Sequence, residues 1–210
     1  MHGEILPEEQ QNCLRLVGPA ADALGFHLAG GTAVALHLGH RQSIDFDWFC
    51  EQFPERPEEL ADAFRDRGVD VAISSLARHT LHGTVGGVRV SFLMFRAPLL
   101  EPLVACPTYG CKLASLADLA AMKLLAVSQR GTKKDFIDVA ALGRRLTLPQ
   151  MLEYYRTKFG ISDVSRVIAG LCYFDDAEAD PLPLLIEPST WEETKSSLCG
   201  WVKAFADGGP

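Results

Sequence analysis

The sequence predicts a mixed α/β fold of the α+β class: an N-terminal mixed sheet with flanking helices, followed by a helical C-terminal part. Short apolar runs and alternating patterns, both typical of strands, occur in about the first hundred residues. Beyond Pro98 the apolar residues recur at helical spacing instead. With 210 residues, 48% of them hydrophobic, the chain is long enough for one core and a second lobe. We therefore expect an αβ core at 1–105 and a helical part at 106–210.

In the N-terminal half, helices alternate with short strands and glycines mark several of the breaks. Gly25 and Gly68 stand just past two amphipathic helices, a position that favours glycine. Gly86 and Gly87 supply a tight turn between two strands. The expected helices are Pro7–Leu24, Ala33–Leu38 and Glu58–Arg67, and the expected strands are Phe26–Ala29, Ser43–Cys50, Val69–Ser75, Thr80–Val85 and Val88–Phe95.

The C-terminal half has helical periodicity, interrupted by one long segment. The residues at 174–189 are rich in acids and prolines, which predicts a loop or a mobile flap. The expected helices around it are Leu116–Ser128, Lys134–Leu146, Leu148–Phe159, Val164–Tyr173 and Trp191–Phe205.

The net charge of −7 argues against a protein that coats nucleic acid by bulk electrostatics. The charge is uneven, because residues 123–145 carry +4 and the rest of the chain sums to −11. This local excess favours a bound phosphate over a long duplex. A solvated helix face with ordinary lysines is the alternative interpretation.

Cysteine usage and the N-terminal residues bear on the location of the chain. The six cysteines lack the two-residue spacing of a structural zinc site, so we interpret them as reduced core thiols. Residues 1–11 have no basic region of the kind that begins a signal peptide, and no apolar run is long enough to span a membrane. We expect a cytoplasmic protein without a membrane association.

The run Gly30-Gly31-Thr32 lies between an expected strand and an expected helix. Two glycines allow the backbone to turn sharply and to approach a ligand, and Thr32 can cap the helix that follows. The free amides of that helix N-terminus form an anion site. Further along the chain, His40 is expected to be a satisfied surface histidine, although it stands beside Arg41 and could touch a substrate.

Asp45 and Asp47 lie two residues apart on an expected strand. At that spacing both carboxylates project from one face, opposite an apolar face formed by Ile44, Phe46 and Trp48. Two like charges so close require a partner, and Mg²⁺ or Mn²⁺ prefers carboxylate and phosphate oxygens. The pair therefore predicts a metal site, with an exposed strand face carrying two solvated acids as the alternative.

Lys123 lies in a helix that is apolar almost all the way round, so its ammonium group is expected to face burial. A buried lysine loses its charge or finds an anion, which here is either a triphosphate or a carboxylate at Asp135 or Asp138. Those two acids share one helical stripe. They could complete a metal shell, act on an acceptor hydroxyl or form ion pairs with neighbouring basic residues.

The stretch from Gly30 to Phe49, together with the motifs that begin at Lys123 and Lys134, resembles the AbiEii/AbiGii toxin family of the nucleotidyltransferase superfamily. The resemblance covers residues 28–142 and implies a nucleotidyltransferase-like core. It implies a Mg²⁺- or Mn²⁺-dependent enzyme that moves a nucleoside monophosphate from a nucleoside triphosphate (NTP) to a hydroxyl of an RNA, tRNA included, or of a protein. It also implies a toxin-like role in phage defence or a toxin–antitoxin pair, with a cognate antitoxin as partner.

Carried over by residue, the resemblance assigns site roles within the same motifs. It implies that Asp45 and Asp47 hold the metal, and it places Lys123, Asp135 and Asp138 with them in the catalytic group. The implied nucleotide-binding residues are Gly30, Gly31, Thr32, Arg41, Ser43 and Lys123. If the acceptor is RNA, the basic stretch Arg130–Arg145, with Lys133, Lys134 and Arg144, is its expected landing surface.

One departure from the superfamily pattern concerns the strand Val88–Phe95. Nucleotidyltransferases commonly carry a third carboxylate on a neighbouring strand, yet neither face of this strand has an acid, and Ser91 is the polar residue facing the expected cleft. A two-metal mechanism needs ligands for both ions. A catalytically degenerate nucleotide-binding or interaction module is therefore the alternative function.

Overall fold

The computed structural model describes residues 1–208, and the side chain of Arg130 lies outside the described part. The α-helices in this range are α1 Glu8–Ala23, α2 Gly30–Leu38, α3 Pro57–Arg65, α4 Leu116–Arg130, α5 Lys133–Leu142, α6 Leu148–Phe159, α7 Ser165–Gly170, α8 Asp175–Glu178 and α9 Trp191–Ala206. The strands are β1 His27–Ala29, β2 Phe46–Cys50, β3 Ala72–Ala77, β4 Thr80–Val85, β5 Val88–Met94, β6 Val104–Cys106 and β7 Cys111–Leu113.

The strands form one mixed sheet in the order β3-β4-β5-β2-β1-β7-β6. Strand β2 lies near its centre, antiparallel to β1 and parallel to β5, and β1 in turn runs parallel to β7. In this register Asp47 is opposite Ala29 on one side and Ser91 on the other. The predicted mixed α/β class is confirmed, and the central position of β2 places Asp47 next to the start of α2.

Aromatic side chains form much of the core on the opposite face of β2. Phe46 and Trp48 are fully buried, as the alternating pattern predicts, and Trp48 stacks on Phe92 of β5 at 6.4 Å. Phe64 of α3 packs against the same Phe92 ring at 4.4 Å between centroids. Because this face is completely covered, the acids that alternate with these aromatics must point to the other side of the sheet.

Ile44 and Asp45 do not belong to the strand, which begins at Phe46. The expected strand was longer, and it placed Ile44 on the apolar face, yet Ile44 is 52% exposed. The segment before Phe46 is held by polar contacts of Thr32 and Arg41 instead of by sheet hydrogen bonds. The alternation of residue types therefore predicted the strand correctly only from Phe46 onward.

Two short strands, β6 and β7, were not expected from the sequence. They form an antiparallel pair that joins the sheet through β7 and β1, and the boundary expected after residue 105 falls inside β6. Each strand has three residues, which is too short for a periodic pattern to be recognised. The sheet therefore extends to Leu113, and a division into two domains stays a prediction.

The segment at 174–189 is more ordered than the expected loop. It contains the short helix α8, and a single antiparallel bridge joins Leu185 to Arg41. The Gln42 amide donates to the Leu184 carbonyl at 2.8 Å, and the Ile186 amide donates to the His40 carbonyl at 3.0 Å. We call residues 180–187 the strap, because this segment runs across residues 40–42, shortly before Asp45.

A buried ion pair joins α4 to α6 in the helical part. Lys158 donates to Asp118 at 2.6 Å and to the Pro98 carbonyl at 2.8 Å, and both side chains are at most 1% exposed. The Asp118 carboxylate also accepts from the Ser115 hydroxyl and from the Leu100 amide. The two charged groups lie away from solvent, so a buried and paired contact fixes α4, which carries Lys123, against α6.

Two sequence expectations concern thiols and membranes. Four of the cysteines are buried as expected (Cys13, Cys50, Cys106 and Cys111), but Cys172 is exposed and Cys199 is only partly buried. Within residues 1–208, none of the helices is both long and apolar enough to cross a membrane.

We expect the substitution Lys158→Met to destabilise the fold by about 3–5 kcal/mol, because it leaves the Asp118 carboxylate buried without its cation. Urea unfolding followed by circular dichroism measures the change. Lys112→Met is the matched control, since Lys112 pairs with Asp22 at 3.0 Å on the surface and its loss costs about 1 kcal/mol or less. Equal effects of the two substitutions would contradict this account of the α4–α6 contact.

Candidate functional site

The turn between β1 and α2 brings the backbone against Asp47. Gly30 has φ +64°, a conformation that favours glycine, and a Cβ atom built there would lie 2.6 Å from Asp47 Oδ2. A side chain at this position would therefore displace the carboxylate. The first glycine of the predicted turn is required both by its backbone angle and by the closeness of β2.

Gly31 is required by a different neighbour. A Cβ atom at Gly31 would lie 2.4 Å from Arg41 Nη2 and 3.4 Å from Asp138 Oδ2. The Arg41 guanidinium group donates to both carboxylate oxygens of Asp138, so it cannot move aside easily. The two glycines thus make room for the Asp47 carboxylate and the Arg41 guanidinium group at the N-terminus of α2. The free amides there already favour an anion.

Thr32 holds the loop that precedes β2. Its hydroxyl donates to the Asp45 carbonyl and lies 2.7 Å from the Ser43 hydroxyl oxygen, and both side chains are buried. It does not cap α2, contrary to the sequence expectation, because the helix begins two residues earlier at Gly30. Thr32 and Ser43 therefore fix the position of Asp45 through internal hydrogen bonds.

Asp45 and Asp47 have different surroundings. Both Asp45 oxygens accept from Arg89 of β5, at 2.7 Å from Nε and 3.1 Å from Nη2. Burial raises the pKa of Asp47 above its ordinary value of 3.8, and a hydrogen bond from Ser91 only partly offsets this effect. The Ser91 hydroxyl oxygen also lies 3.1 Å from His82 Nδ1. Asp47 is thus the carboxylate that most needs a cation.

The chemistry of this pair fits one hard divalent cation. Asp45 and Asp47 supply carboxylate oxygens in the cleft, and neither belongs to a group of three or more His, Cys, Asp or Glu side chains suited to a metal anywhere in residues 1–208. Protein sites for Mg²⁺ often use one or two carboxylates, with substrate phosphates and water completing the shell. The two acids can therefore hold an ion together with a phosphate-bearing ligand.

Asp138 is the centre of a buried charge cluster. Its carboxylate is fully buried and accepts from His40 Nε2 at 2.8 Å, from Arg41 Nε at 2.6 Å and from Lys123 Nζ at 2.7 Å. Burial alone would raise the pKa of Asp138, but Lys123 and Arg41 outweigh it and hold the pKa far below the usual range. Asp138 does not line the cleft, so it acts on the basic residues that do.

His40 is part of this cluster and is not the surface residue expected from the sequence. It is only 2% exposed. Burial lowers its pKa, and the contact with Asp138 opposes that shift only in part. The imidazole is therefore neutral at physiological pH and does not reach the cleft that Arg41 lines.

Lys123 is buried, as its helical position predicts, and its anions are the two acids of α5. It lies 2.7 Å from Asp135 and 2.7 Å from Asp138. Burial lowers the pKa of Lys123, but both carboxylates outweigh that effect and hold it above the ordinary value, so the ammonium group stays charged. Asp135 also accepts from the amide and hydroxyl of Thr132 and closes a capping box at the start of α5.

These residues surround one cleft with two connected chambers. The inner chamber, a cavity of about 220 Å³, is lined by both glycines, Asp47, Lys123 and Asp135, and the outer chamber, about 370 Å³, by Ile44, Arg89 and the strap. Four residues line both chambers: Arg41, Ser43, Asp45 and Lys134. The structure thus brings together every site residue expected from the sequence. Asp138 does not line the cleft but binds Arg41 and Lys123, which do.

The basic stretch does not form one surface in the described part of the chain. Lys133 is buried and donates to the backbone carbonyls of Glu178 and Asp180, which anchors the start of the strap. Arg144 pairs with Glu187, and the side chain of Arg130 lies outside the described residues. Lys134, by contrast, is exposed and lines both chambers. Among the described basic side chains of this stretch, Lys134 is the one that lines both chambers of the cleft.

Sequence reasoning did not place two basic residues in the cleft, although it expected Lys134 on the landing surface for RNA. The sequence placed Arg89 on one face of a strand and gave no sign of its partner, because Asp45 is 44 residues away. Lys134 was counted within the charged stretch, and nothing in the sequence separated it from its buried neighbour Lys133. A capping box between Thr132 and Asp135 fixes the start of α5, and this signal could have shown which of the two lysines points outward.

We expect Asp47→Asn to raise the melting temperature of the ligand-free protein at pH 7. Because the folded-state pKa of Asp47 lies above its ordinary value of 3.8, the ionised carboxylate destabilises the fold at neutral pH. The gain should shrink as the pH falls and vanish well below 3.8, where the carboxyl group is protonated in both the folded and the unfolded chain. Differential scanning calorimetry across this pH range measures it. Asp45→Asn is the control and should give no gain, since it removes the ion pair with Arg89.

The chain has similar proteins among known sequences and structures. It is 34% identical over 206 residues to an uncharacterized protein, aq_aa25, of Aquifex aeolicus (strain VF5), covering 96% of this chain and 98% of that protein. Its fold is similar to that of MenT4, a nucleotidyltransferase toxin from Mycobacterium tuberculosis H37Rv, with a TM-score of 0.60 at 15% identity over 91% and 82% of the two chains. JHP933 from Helicobacter pylori gives a TM-score of 0.59 at 19% identity over 97% and 94%.

A family assignment follows from the match to the family described as nucleotidyl transferase AbiEii toxin, type IV TA system, which extends over residues 15–195. The matched region includes the glycine turn, both acids of the β2 region, α4 and α5. The similar folds are those expected for a nucleotidyltransferase core. The chain is therefore an enzyme and belongs to the AbiEii nucleotidyltransferase toxin family.

Proposed function

We propose that this chain transfers a nucleoside monophosphate from an NTP to a hydroxyl group of an RNA, tRNA included, or of a protein, in the presence of Mg²⁺ or Mn²⁺. The observation that carries the proposal is the cleft itself. One cavity contains an anion-binding helix N-terminus, an unneutralised acid at Asp47 and the charged groups of Arg41 and Lys134. An NTP combines the anion and the metal-binding oxygens that these groups require.

The triphosphate is expected to lie at the N-terminus of α2. Free amides and the helix dipole favour anions at this position, and Arg41 and Lys134 add positive charge in the same cavity. Arg41 is held bidentately by Asp138. Its guanidinium group is thus pre-positioned, so little side-chain entropy is lost when the phosphates bind.

Asp45 and Asp47 would hold the divalent cation. When bound, the cation would neutralise charge on the reacting phosphate and on the pyrophosphate that leaves. The raised pKa of Asp47 supports this role, because a carboxylate that is poorly stabilised by its own surroundings gains most from an added cation. Mg²⁺ and Mn²⁺ both suit oxygen ligands.

In the reaction, the acceptor hydroxyl oxygen forms a bond with the α-phosphorus while the bond from that phosphorus to the β-phosphate bridging oxygen breaks. Pyrophosphate leaves, and the hydroxyl proton passes to a base or to solvent. We assign Lys123 and Arg41 to stabilising the charge that develops on the phosphates. Asp135 and Asp138 are positioning residues in this scheme, because their oxygens are occupied by those basic groups.

The family's role supports a protein partner for this chain, whereas the acceptor is proposed from the lining of the cleft. A type IV toxin–antitoxin system implies a cognate antitoxin, and we propose growth arrest or phage defence as the purpose of transfer. An RNA acceptor would approach through the outer chamber, where Lys134 and Arg89 lie beside the apolar Ile44. A substrate from the NTP pool also fits the cytoplasmic location expected from the cysteines.

The decisive test incubates the protein with each α-labelled NTP, Mg²⁺ or Mn²⁺, and total RNA plus protein extract, and then resolves the labelled products. We expect label in an acceptor with the wild type and a loss of at least about 100-fold with Asp47→Asn. Asp70→Asn is the matched control, because Asp70 is exposed and lies outside the cleft. Undiminished transfer by Asp47→Asn would contradict the mechanism, whereas nucleotide binding without any transfer would favour a catalytically degenerate module.

A second test concerns Lys134. We expect Lys134→Ala to raise the KM for the NTP by roughly tenfold with little change in kcat, because it removes a charged contact made in both the ground state and the transition state. Steady-state kinetics with the acceptor at saturation measures both constants. Lys203→Ala, at an exposed lysine in the last turn of α9, should leave them unchanged. Equal KM values for Lys134→Ala and wild type would remove Lys134 from the phosphate site.

A further inference from the structure

Arg89 forms the one ion pair recorded for Asp45 in the described part of the chain. Its guanidinium group binds both carboxylate oxygens, at 2.7 Å from Nε and 3.1 Å from Nη2. The side chain is 68% exposed and that of Asp45 is 30% exposed. Exposed ion pairs contribute little to stability, so this contact is free to serve a role in the site.

Asp45 lines both chambers, and the other residues that line the two chambers differ in charge. Asp47 and Lys123 line the inner chamber but not the outer one, whereas Arg89 lines the outer chamber but not the inner one. Asp45 lines both. On the inner side Asp45 therefore has a second carboxylate, Asp47, as its neighbour, and on the outer side it has the guanidinium group of Arg89.

A second metal ion on the outer side would find one further carboxylate, Asp180, and one oxygen of that group already accepts from the Lys133 amide at 3.0 Å. Two-metal sites hold ions about 3.5–4 Å apart and need carboxylates that reach both. The strand next to β2 carries Arg89, Ser91 and Leu93 on the relevant face, and residues 1–208 contain no set of three or more metal-ligating side chains. Strand β5 therefore places the positive charge of Arg89, and no acid, beside Asp45.

We propose that Arg89 supplies the positive charge that a second metal ion would otherwise supply, so that this site works with one divalent cation held by Asp45 and Asp47. The inference rests on the proposed nucleotidyltransferase function. Arginine has five N–H donors, and Asp45 uses two of its nitrogen atoms. The donors that remain can bind phosphate oxygens while the contact with Asp45 is kept.

Arg89 would then hold its charge beside Asp45, which lines both chambers, without a metal-binding step. Lys134 and Arg41 line the same outer chamber, so the three basic groups can share a phosphate-bearing ligand. The planar, permanently charged guanidinium group suits this task better than an ammonium group, because it can contact a carboxylate and a phosphate at once. Arg89 is thus a catalytic residue in this proposal.

The experiment counts Mn²⁺ ions by electron paramagnetic resonance in the complex with an α,β-methylene NTP analogue, which cannot be transferred. We expect one Mn²⁺ per chain for the wild type. Arg89→Gln should still bind one, about two- to fivefold more tightly because the cation that competes for Asp45 is gone. Transfer by Arg89→Gln should fall about 100-fold, and Arg89→Lys should recover part of it. Arg78→Gln, at an exposed arginine in the β3–β4 turn, is the matched control.

Two bound Mn²⁺ ions per chain in the wild type would overturn the inference but leave the proposed function intact. Unchanged transfer by Arg89→Gln, with one ion bound, would overturn it as well. If neither Mn²⁺ nor the analogue bound to the wild type, the proposed function would fail together with it. Because Arg89 is exposed, loss of folding is not expected for these variants, and circular dichroism checks that they fold.

Discussion

The site depends on one buried carboxylate, Asp138. It binds His40 and Arg41 from the loop after α2 and Lys123 from α4. A fully buried acid with three donors is strongly favoured in its ionised form, and the two charged donors, Arg41 and Lys123, in turn need that charge to remain buried. The contact therefore fixes α5 against α4 and against the loop after α2. Without it, neither the guanidinium group nor the ammonium group would have a defined place in the cleft.

The backbone of α2 completes this arrangement because it leaves room for side chains from elsewhere. Gly30 admits the carboxylate of Asp47, and Gly31 admits the guanidinium group that Asp138 holds. The phosphate turn is therefore defined by its neighbours as much as by its own flexibility. A helix N-terminus favours anions in any protein. Here the Asp47 carboxylate and the Arg41 guanidinium group both lie against it, so a phosphate that carries a metal ion would fit this position better than a simple anion.

The sequence predicted the elements that have a strong local pattern and the acids that belong to them. The alternation around Trp48 predicted β2 and the orientation of Asp47, and the apolar surroundings of Lys123 predicted its burial. The pattern could not predict pairs between distant segments, such as Asp45 with Arg89 or Asp138 with His40, because each depends on the order of strands and helices in space. Three-residue strands such as β6 also carry too little pattern to be found.

The charged residues of the cleft fall into two groups with different physical roles. Lys123 and Asp138 are buried and satisfy one another, so exchanging their partners would cost several kcal/mol. Lys134 and Arg89 are exposed, and their contacts exchange with solvent at little cost. The exposed groups can accept a new partner at little cost, whereas Arg41 and Lys123 can add a phosphate contact only while they keep their contacts with Asp138. In the proposed reaction the buried residues would supply a fixed electrostatic field, and the exposed residues would supply the contacts that a substrate makes and breaks in each cycle.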